Sequence, residues 1–349
     1  MRRRRADTPG PARRLSSAAD SAATARSIRE AAAAIRGGRD FLVTSHLRPD
    51  GDNLGAVSAL MLLLERLGKP FRAVNRGPMP ADFAFLPGIE RVEIAEHYGP
   101  SADVCVVVDT PTIDRTGFDW RTERPARIVV NIDHHPGNEM YGEVNCVDVA
   151  APASAYLVYR IAEELGMELD RDLATAIFTG LMTDTGYFRF SNTTAETFRL
   201  AALLVARGAP HAELYRRIYE ERSFESISLQ GHAFTSIQRR CGNRLAWIDV
   251  TRELMARSGA LESDVSSLVS KLTTIRGVSI GMTFEERSEK QTLVELRSVG
   301  DLDVGGVARI FGGGGHRNAA GCNYPGPLPE IRDLMLEAAA KLLEPPDAD

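Results

Sequence analysis

The stretch Ile128-Val129-Val130-Asn131-Ile132-Asp133-His134-His135 decides the fold. Its first five residues form a near-continuous apolar run, as expected of a central parallel strand covered on both faces. The abrupt change to Asp-His-His then places polar groups at the strand's carboxyl end, where open α/β sheets bind their ligands. Val104-Cys105-Val106-Val107-Val108 is a second such run and ends at Asp109. Phe41-Leu42-Val43-Thr44 is a shorter buried strand, followed directly by His46-Leu47-Arg48-Pro49-Asp50-Gly51-Asp52-Asn53-Leu54-Gly55. Three strands therefore deliver acid or imidazole to one sheet edge.

Helical spacing surrounds these strands. The pattern predicts helices over 27–35 and 54–67, the latter closed by Gly68, with a strand starting at Phe71. Further helices are expected near 153–165, 171–182, 194–207 and 211–220. The fold class is α/β: a first domain over 27–220 whose mainly parallel sheet is flanked by helices. The second half reads as a linking helix within 221–240, then a smaller α+β domain over 241–349. That domain has strands near 245–250, 278–285 and 292–298. Its helices lie near 261–271 and 303–310, with a closing helix over 329–343.

At 349 residues the chain has room for about two domains. Its 44% hydrophobic and 26% charged residues fit a soluble globular protein. No apolar run approaches the roughly 18–20 residues of a membrane helix. The cysteines Cys105, Cys146, Cys241 and Cys322 are scattered, which argues against a disulfide scaffold or a cysteine zinc site and for a reducing cytoplasm. Residues 1–26 read as a disordered basic tail. Its arginines lack the apolar segment of a signal peptide, so export is not expected. Tethering to nucleic acid or lipid is the alternative to a solvated tail. The first fourteen residues carry +5, so the net charge of -5 leaves -10 on the rest. An acidic body does not suit duplex DNA, whose binding rests on phosphate neutralisation. It does suit carboxylates gathered around metal ions.

In the first motif, one His and two Asp within seven residues, pinned by Pro49 and Gly51, can point ligands into a small volume. Such a set suits Mn, Fe or Zn. The plain alternative is a polar turn with Asp52 near the next helix's N-terminus. Thr183-Asp184-Thr185-Gly186 adds an acid at a helix end, where a basic residue or Gly would be preferred; an Asx-turn is its plain reading. His46, Asp50, Asp52, Asp109, His134 and Asp184 then suffice for two metals. Such a pair, roughly 3.5–4 Å apart, clamps phosphoryl groups and activates water. His46, Asp50 and Asp109 would hold one metal, and Asp52, Asp109, His134 and Asp184 the other, with Asp109 bridging. Asp133 would orient a ligand, and His135 would face the phosphate or leaving oxygen.

The ordered set HxxPDGD, strand-end Asp109, Asp133-His134-His135 and TDTG resembles the DHH phosphoesterase superfamily. The division of ligands leans on that resemblance, which implies two manganese ions. Downstream, Phe311-Gly312-Gly313-Gly314-Gly315-His316-Arg317-Asn318-Ala319-Ala320-Gly321 is similar to the GGGH motif of the DHHA1 domain, and Arg297-Ser298 to its other basic motif. Consecutive glycines let backbone amides turn toward an anion. Arg297, Ser298, Gly313, Gly314, Gly315, His316 and Arg317 are therefore expected to bind substrate; a flexible glycine loop is the plain alternative. The two domains together look most like the nanoRNase/pAp phosphatase group. The resemblance implies hydrolysis of very short oligoribonucleotides or adenosine 3',5'-bisphosphate in the cytoplasm, by a homodimer, with linear or cyclic dinucleotides as the alternative substrates. The glycine loop argues against the inorganic pyrophosphatase branch, and the length against a long-strand exonuclease. A non-catalytic nucleotide-binding module is disfavoured because every expected ligand is present. Asn53 stands where the family often has a small apolar residue, and is expected to leave metal binding intact.

Overall fold

The computed structural model describes residues 22–344, and the chain divides into two compact units between Glu220 and Glu221. In chain order the first contains α1 (Ala22–Gly37), β1 (Phe41–Ser45), α2 (Gly51–Arg66), β2 (Phe71–Asn75), β3 (Val92–Ile94), β4 (Ala102–Val108), β5 (Ala126–Asp133) and β6 (Val144–Val147). There follow α3 (Ser154–Glu164), α4 (Arg171–Asp184), α5 (Ala195–Ala206) and α6 (His211–Tyr215), with one π-type turn after it. The six strands form one parallel sheet in the order β3-β2-β1-β4-β5-β6. The tail expected over 1–26 ends sooner. Residues 22–26 form the first turn and more of α1, where Thr24 is buried and donates to Asp148. The rest of that expected tail lies outside the described residues.

Helix α2 explains how the sheet and helices meet. Every residue from Gly51 to Leu64 is buried, the state of a helix packed on all sides. It touches β1, β2, α3 and α4. Two glycines permit this closeness. A Cβ at Gly55 would lie 2.6 Å from the Ala176 carbonyl oxygen, and one at Gly180 would lie 2.5 Å from the Ala155 Cβ and 2.7 Å from Asp52 Oδ1. The helices therefore meet backbone to backbone, which brings the acids near their ends together.

The second unit holds α7 (Phe224–Thr235), β7 (Gln238–Arg240), β8 (Leu245–Val250), α8 (Arg252–Ser258), α9 (Glu262–Leu272), β9 (Ile280–Ser288), β10 (Gln291–Ser298), α10 (Val304–Ile310), β11 (Gly314–His316), β12 (Ala319–Tyr324) and α11 (Leu328–Lys341). Its sheet runs β11-β12-β10-β9-β8-β7, with β8 and β9 parallel and the other pairs antiparallel. Alternation along β8 splits the core. Leu245 and Trp247 pack with Ile331 and Met335 of α11, while Ala246, Ile248 and Val250 pack with α7 and α9. The expected linking helix stops at Thr235, and residues 238–240 join the second sheet instead. The glycine run is not a free loop throughout: Gly314 and Gly315 pair with Gly321 and Ala320 as an edge strand. Among the described residues, no helix is long and apolar enough to cross a membrane.

The close packing at Gly180 is testable. Gly180→Ala should lower unfolding stability by roughly 1–3 kcal/mol, the usual cost of overpacking, in urea denaturation. An unchanged midpoint at equal m-value would mean that α3 and α4 can part freely.

Candidate metal centre

Register sets the level of the site. Ser45 pairs with Val108, and Val108 with Ile132. His46, Asp109 and Asp133 therefore reach the end of the sheet side by side. The chain leaves β1 for β2 on one side, whereas β4 lies on the other. This is the switch point at which open α/β sheets form a crevice. Asp109 turns sharply there, at φ 54, a left-handed conformation that costs a non-glycine residue about 1–2 kcal/mol. Its amide still donates to the Ile132 carbonyl oxygen at 2.9 Å.

Around Asp109 the ligand atoms fall into two candidate metal-binding clusters that share it. His46, Asp50 and Asp109 offer atoms all within 4.8 Å of one another, as do Asp109, His134 and His135. His46 Nε2 lies 3.4 Å from Asp109 Oδ2. His134 Nε2 lies 3.6 Å from Asp184 Oδ2, 3.8 Å from Asp109 Oδ1 and 3.9 Å from Asp52 Oδ2. All six expected ligands thus come together.

Neighbouring groups aim them. The His134 Nδ1 sits 3.2 Å from the Ala151 carbonyl oxygen. A carbonyl only accepts, so Nδ1 carries a proton and Nε2 is the nitrogen turned toward a metal, which would displace any proton there. His135 Nδ1 lies 2.7 Å from Asp133 Oδ1, and Asn138 donates to the other oxygen at 2.6 Å. Asp50 caps α2, its Oδ1 accepting from the Asp52 and Asn53 amides. The capping role read for the motif falls to Asp50. Asp52 instead accepts from the Ser154 and Ala155 amides at 2.6 and 2.9 Å, at the N-terminus of α3.

The charges are out of balance without cations. Burial, then the neighbouring Asp52 and Asp50, pushes the Asp109 carboxyl far above its usual range. Burial also raises Asp52, and burial with Asp52 pushes Asp184 up to about 7. Burial opposes a charged His134, but the carboxylates, led by Asp184, outweigh it and push its pKa up to about 9. Burial lowers His46, which leaves its imidazole neutral and able to ligate. Buried acids this close need protons or cations between them. Hard oxygens with two imidazoles suit divalent ions of the manganese, iron or zinc kind, so the residues fit the expected metals.

Three supporting groups escaped the sequence reading. Ser154 Oγ donates to Asp109 Oδ1 at 3.0 Å. Asn138 holds Asp133, and Asn192 Nδ2 donates to the Asp184 carbonyl oxygen at 3.2 Å. Each lies in a loop or at a helix start; Ser154 meets its partner across 45 positions, while Asn138 and Asn192 lie five and eight residues past theirs, in turns with no regular pattern to mark them. Asn53 is wholly buried and accepts from Ser45 Oγ at 2.8 Å. The proposed substrate residues lie in the second unit. Arg297 is largely buried on β10, which lowers its pKa, and donates to the Leu296 carbonyl oxygen. Ser298 donates to Leu302 and accepts from Asn318. Arg317 donates to the Asp301 carbonyl oxygen. Gly313 sits so near Gly321 that a Cβ would meet its carbonyl oxygen at 2.3 Å.

Comparison with known proteins gives a consistent pattern. The DHH family N-terminal domain matches residues 40–181, and the DHHA1 domain matches residues 250–344. The bifunctional oligoribonuclease and PAP phosphatase NrnA of Thermus thermophilus is 32% identical, over 91% of this chain and 94% of its own length. The Bacillus subtilis protein of the same name is 29% identical, over 81% of this chain and 88% of its own. A crystal structure of an exopolyphosphatase-related protein from Bacteroides fragilis shares the fold, with a TM-score of 0.84 at 22% identity, covering 94% of this chain and all of that one.

Metal stoichiometry tests the shared carboxylate. The protein titrated with manganese should bind two ions per chain, and Asp109→Ala neither of them tightly. Calorimetry that still finds two tight ions in the variant would remove Asp109 from the centre.

Proposed function

The chain belongs to the DHH family and carries a DHHA1 domain, and from that premise we propose that it is a two-metal phosphoesterase. On this reading it hydrolyses short oligoribonucleotides to mononucleotides and adenosine 3',5'-bisphosphate to AMP. The observation that carries the proposal is the gathering of His46 and Asp50, and of His134, Asp52 and Asp184, around the shared Asp109, in a chain similar along nearly its whole length to the Thermus enzyme.

His46, Asp50 and Asp109 would hold one divalent ion, and Asp52, Asp109, His134 and Asp184 the other, with manganese the expected metal. Bound there, the pair would neutralise phosphoryl charge and lower the pKa of water. The chain's own groups do the rest. Ser154 and the α3 amides keep Asp109 and Asp52 oriented. The His135 Nδ1 proton is committed to Asp133, whose carboxylate stays ionised. Burial opposes that ionisation, but the His135 hydrogen bond and charge, with Asn138, lower its pKa. Asp133 thus fixes the orientation of the His135 ring, and His135 is proposed to face the phosphate and give a proton to the leaving oxygen. Arg297, Ser298, Gly313, Gly314, Gly315, His316 and Arg317 are proposed as substrate contacts.

A panel of di- and trinucleotides, adenosine 3',5'-bisphosphate, pGpG and cyclic di-AMP, each with manganese and with chelator, tests the whole reading. Metal-dependent release of mononucleotides or AMP is expected. Turnover of cyclic or linear dinucleotides alone would shift the substrate, and none with any member would end the proposal.

His135→Ala separates ligand from proton carrier. It should keep two manganese ions per chain while kcat falls roughly 10²- to 10⁴-fold, the usual worth of general acid catalysis. Loss of one ion from the variant would make His135 a ligand instead.

A further inference from the structure

The segment after Asp184 breaks the backbone pattern of the first unit. Gly186, Tyr187 and Phe188 are consecutive left-handed residues, at φ 54, 65 and 62. Glycine adopts this freely, but bulky aromatic residues do so at a cost of about 1–3 kcal/mol each, and such strain clusters at ligand sites. Two of the rings anchor the turn. Phe188 packs on Phe178 and stacks on Phe198, and Tyr187 meets Tyr215. The Thr185 carbonyl oxygen then accepts from both the Arg189 and Phe190 amides at 3.0 Å. This folds the chain back, so that the Phe190 ring lies on Gly186, where a Cβ would stand 2.5 Å from it.

Unlike its neighbours, Phe190 is not used as an anchor: it is 51% exposed. The Arg189 guanidinium lies 5.1 Å from its ring centroid. That guanidinium makes no hydrogen bond or ion pair among the described residues. The turn is tied to the metal centre. Asn192 donates to the carbonyl and carboxylate oxygens of Asp184 at 3.2 and 3.4 Å, and to the Pro152 carbonyl oxygen just before α3. Six residues past a proposed ligand, the structure thus presents a flat aromatic ring beside a planar cation.

We propose that Arg189 and Phe190 form a platform on which a nucleobase of the substrate stacks, next to the metal centre. This rests on the phosphoesterase reading and adds to it the feature recognised: the base, in addition to the phosphate. Stacking on an aromatic side chain tolerates any base, because every base has a π-face. The guanidinium stacks as well and offers donors to base or phosphate oxygens. The strained turn fixes the ring before substrate arrives, so little ordering cost remains on binding.

The test compares diadenylate with the same dinucleotide carrying an abasic ribose in place of either adenosine. Phe190→Leu keeps apolar volume and loses the ring. It should raise KM for diadenylate about tenfold, within the worth of one stacked base, with kcat within twofold. At least one abasic analogue should be unaffected, Phe190→Tyr should restore binding, and Arg189→Ala should share the KM defect. An equal loss on diadenylate and on both abasic analogues would make the turn a prop for Asp184, and no loss on any would refute the platform. If the wild-type protein hydrolyses no dinucleotide, the phosphoesterase reading fails on its own. Calorimetric AMP binding then tests the platform separately: it should weaken in Phe190→Leu, and equal affinity in both proteins would overturn it.

Discussion

Mutual repulsion among buried carboxylates is the constraint around which the first unit is built. Asp52 and Asp109, almost wholly buried, lie with the half-buried Asp184 and the exposed Asp50 about one switch point. A single pair of unit charges at 4 Å costs about 4 kcal/mol at an effective dielectric of 20, which is large against the roughly 5–15 kcal/mol that holds a domain together. The fold answers part of this with fixed dipoles. The N-terminus of α3 gives Asp52 two amides and Asp109 a hydroxyl, at the positive end of a helix. The close contacts at Gly55 and Gly180 bring those groups into reach. The remainder is left to protons or cations, which is why Asp109 and Asp184 are driven toward the neutral form in the bare chain.

This division explains what could be read in advance. The central strands β4 and β5 announce themselves because both faces are covered, so nearly every residue is apolar. The ligands could be read because each directly follows such a strand or ends a helix. What could not be read depends on irregular turns, as at Asn138 and Asn192, or on contacts between distant residues. Ser154 meets Asp109 across 45 positions, and nothing local in Pro152-Ala153-Ser154 marks it. The edge elements are equally silent. Strand β3 has three residues, none of them buried, and β7 is exposed throughout, so neither carries an alternating pattern. At the N-terminus, composition placed residues 22–26 in the tail, yet Thr24 is buried and bonded to Asp148, a partner that composition cannot supply.

The glycine run shows the opposite failure, a strong local signal with more than one structural use. Four consecutive glycines read as an anion-binding segment, with a flexible loop as the alternative. Part of the run is strand β11, held to β12 through Gly314 and Gly315. Gly313 and Gly315 lie where a side chain would strike backbone of the β12 segment. Close strand approach already requires glycine at these two positions. Gly312 and Gly314 have open space around a notional Cβ, so their need for glycine rests on backbone freedom or on a ligand. Gly312 also holds φ 77, which itself favours glycine, so Gly314 is the position that neither close packing nor a left-handed backbone explains.

Charge bears on substrate length. A protein that grips long nucleic acid gains affinity from each phosphate it neutralises, and this chain beyond its first fourteen residues carries a net -10. On the proposed reading, binding must come from a few concentrated contacts: the cations of the dimetal centre, the base platform of Phe190 and Arg189, and the proposed contacts of the glycine run and its neighbours in the second unit. Beyond those contacts, each further nucleotide brings another phosphate to an acidic protein with little added attraction. On that same reading a short substrate satisfies every favourable contact and leaves no phosphate exposed to that field, which would favour very short chains.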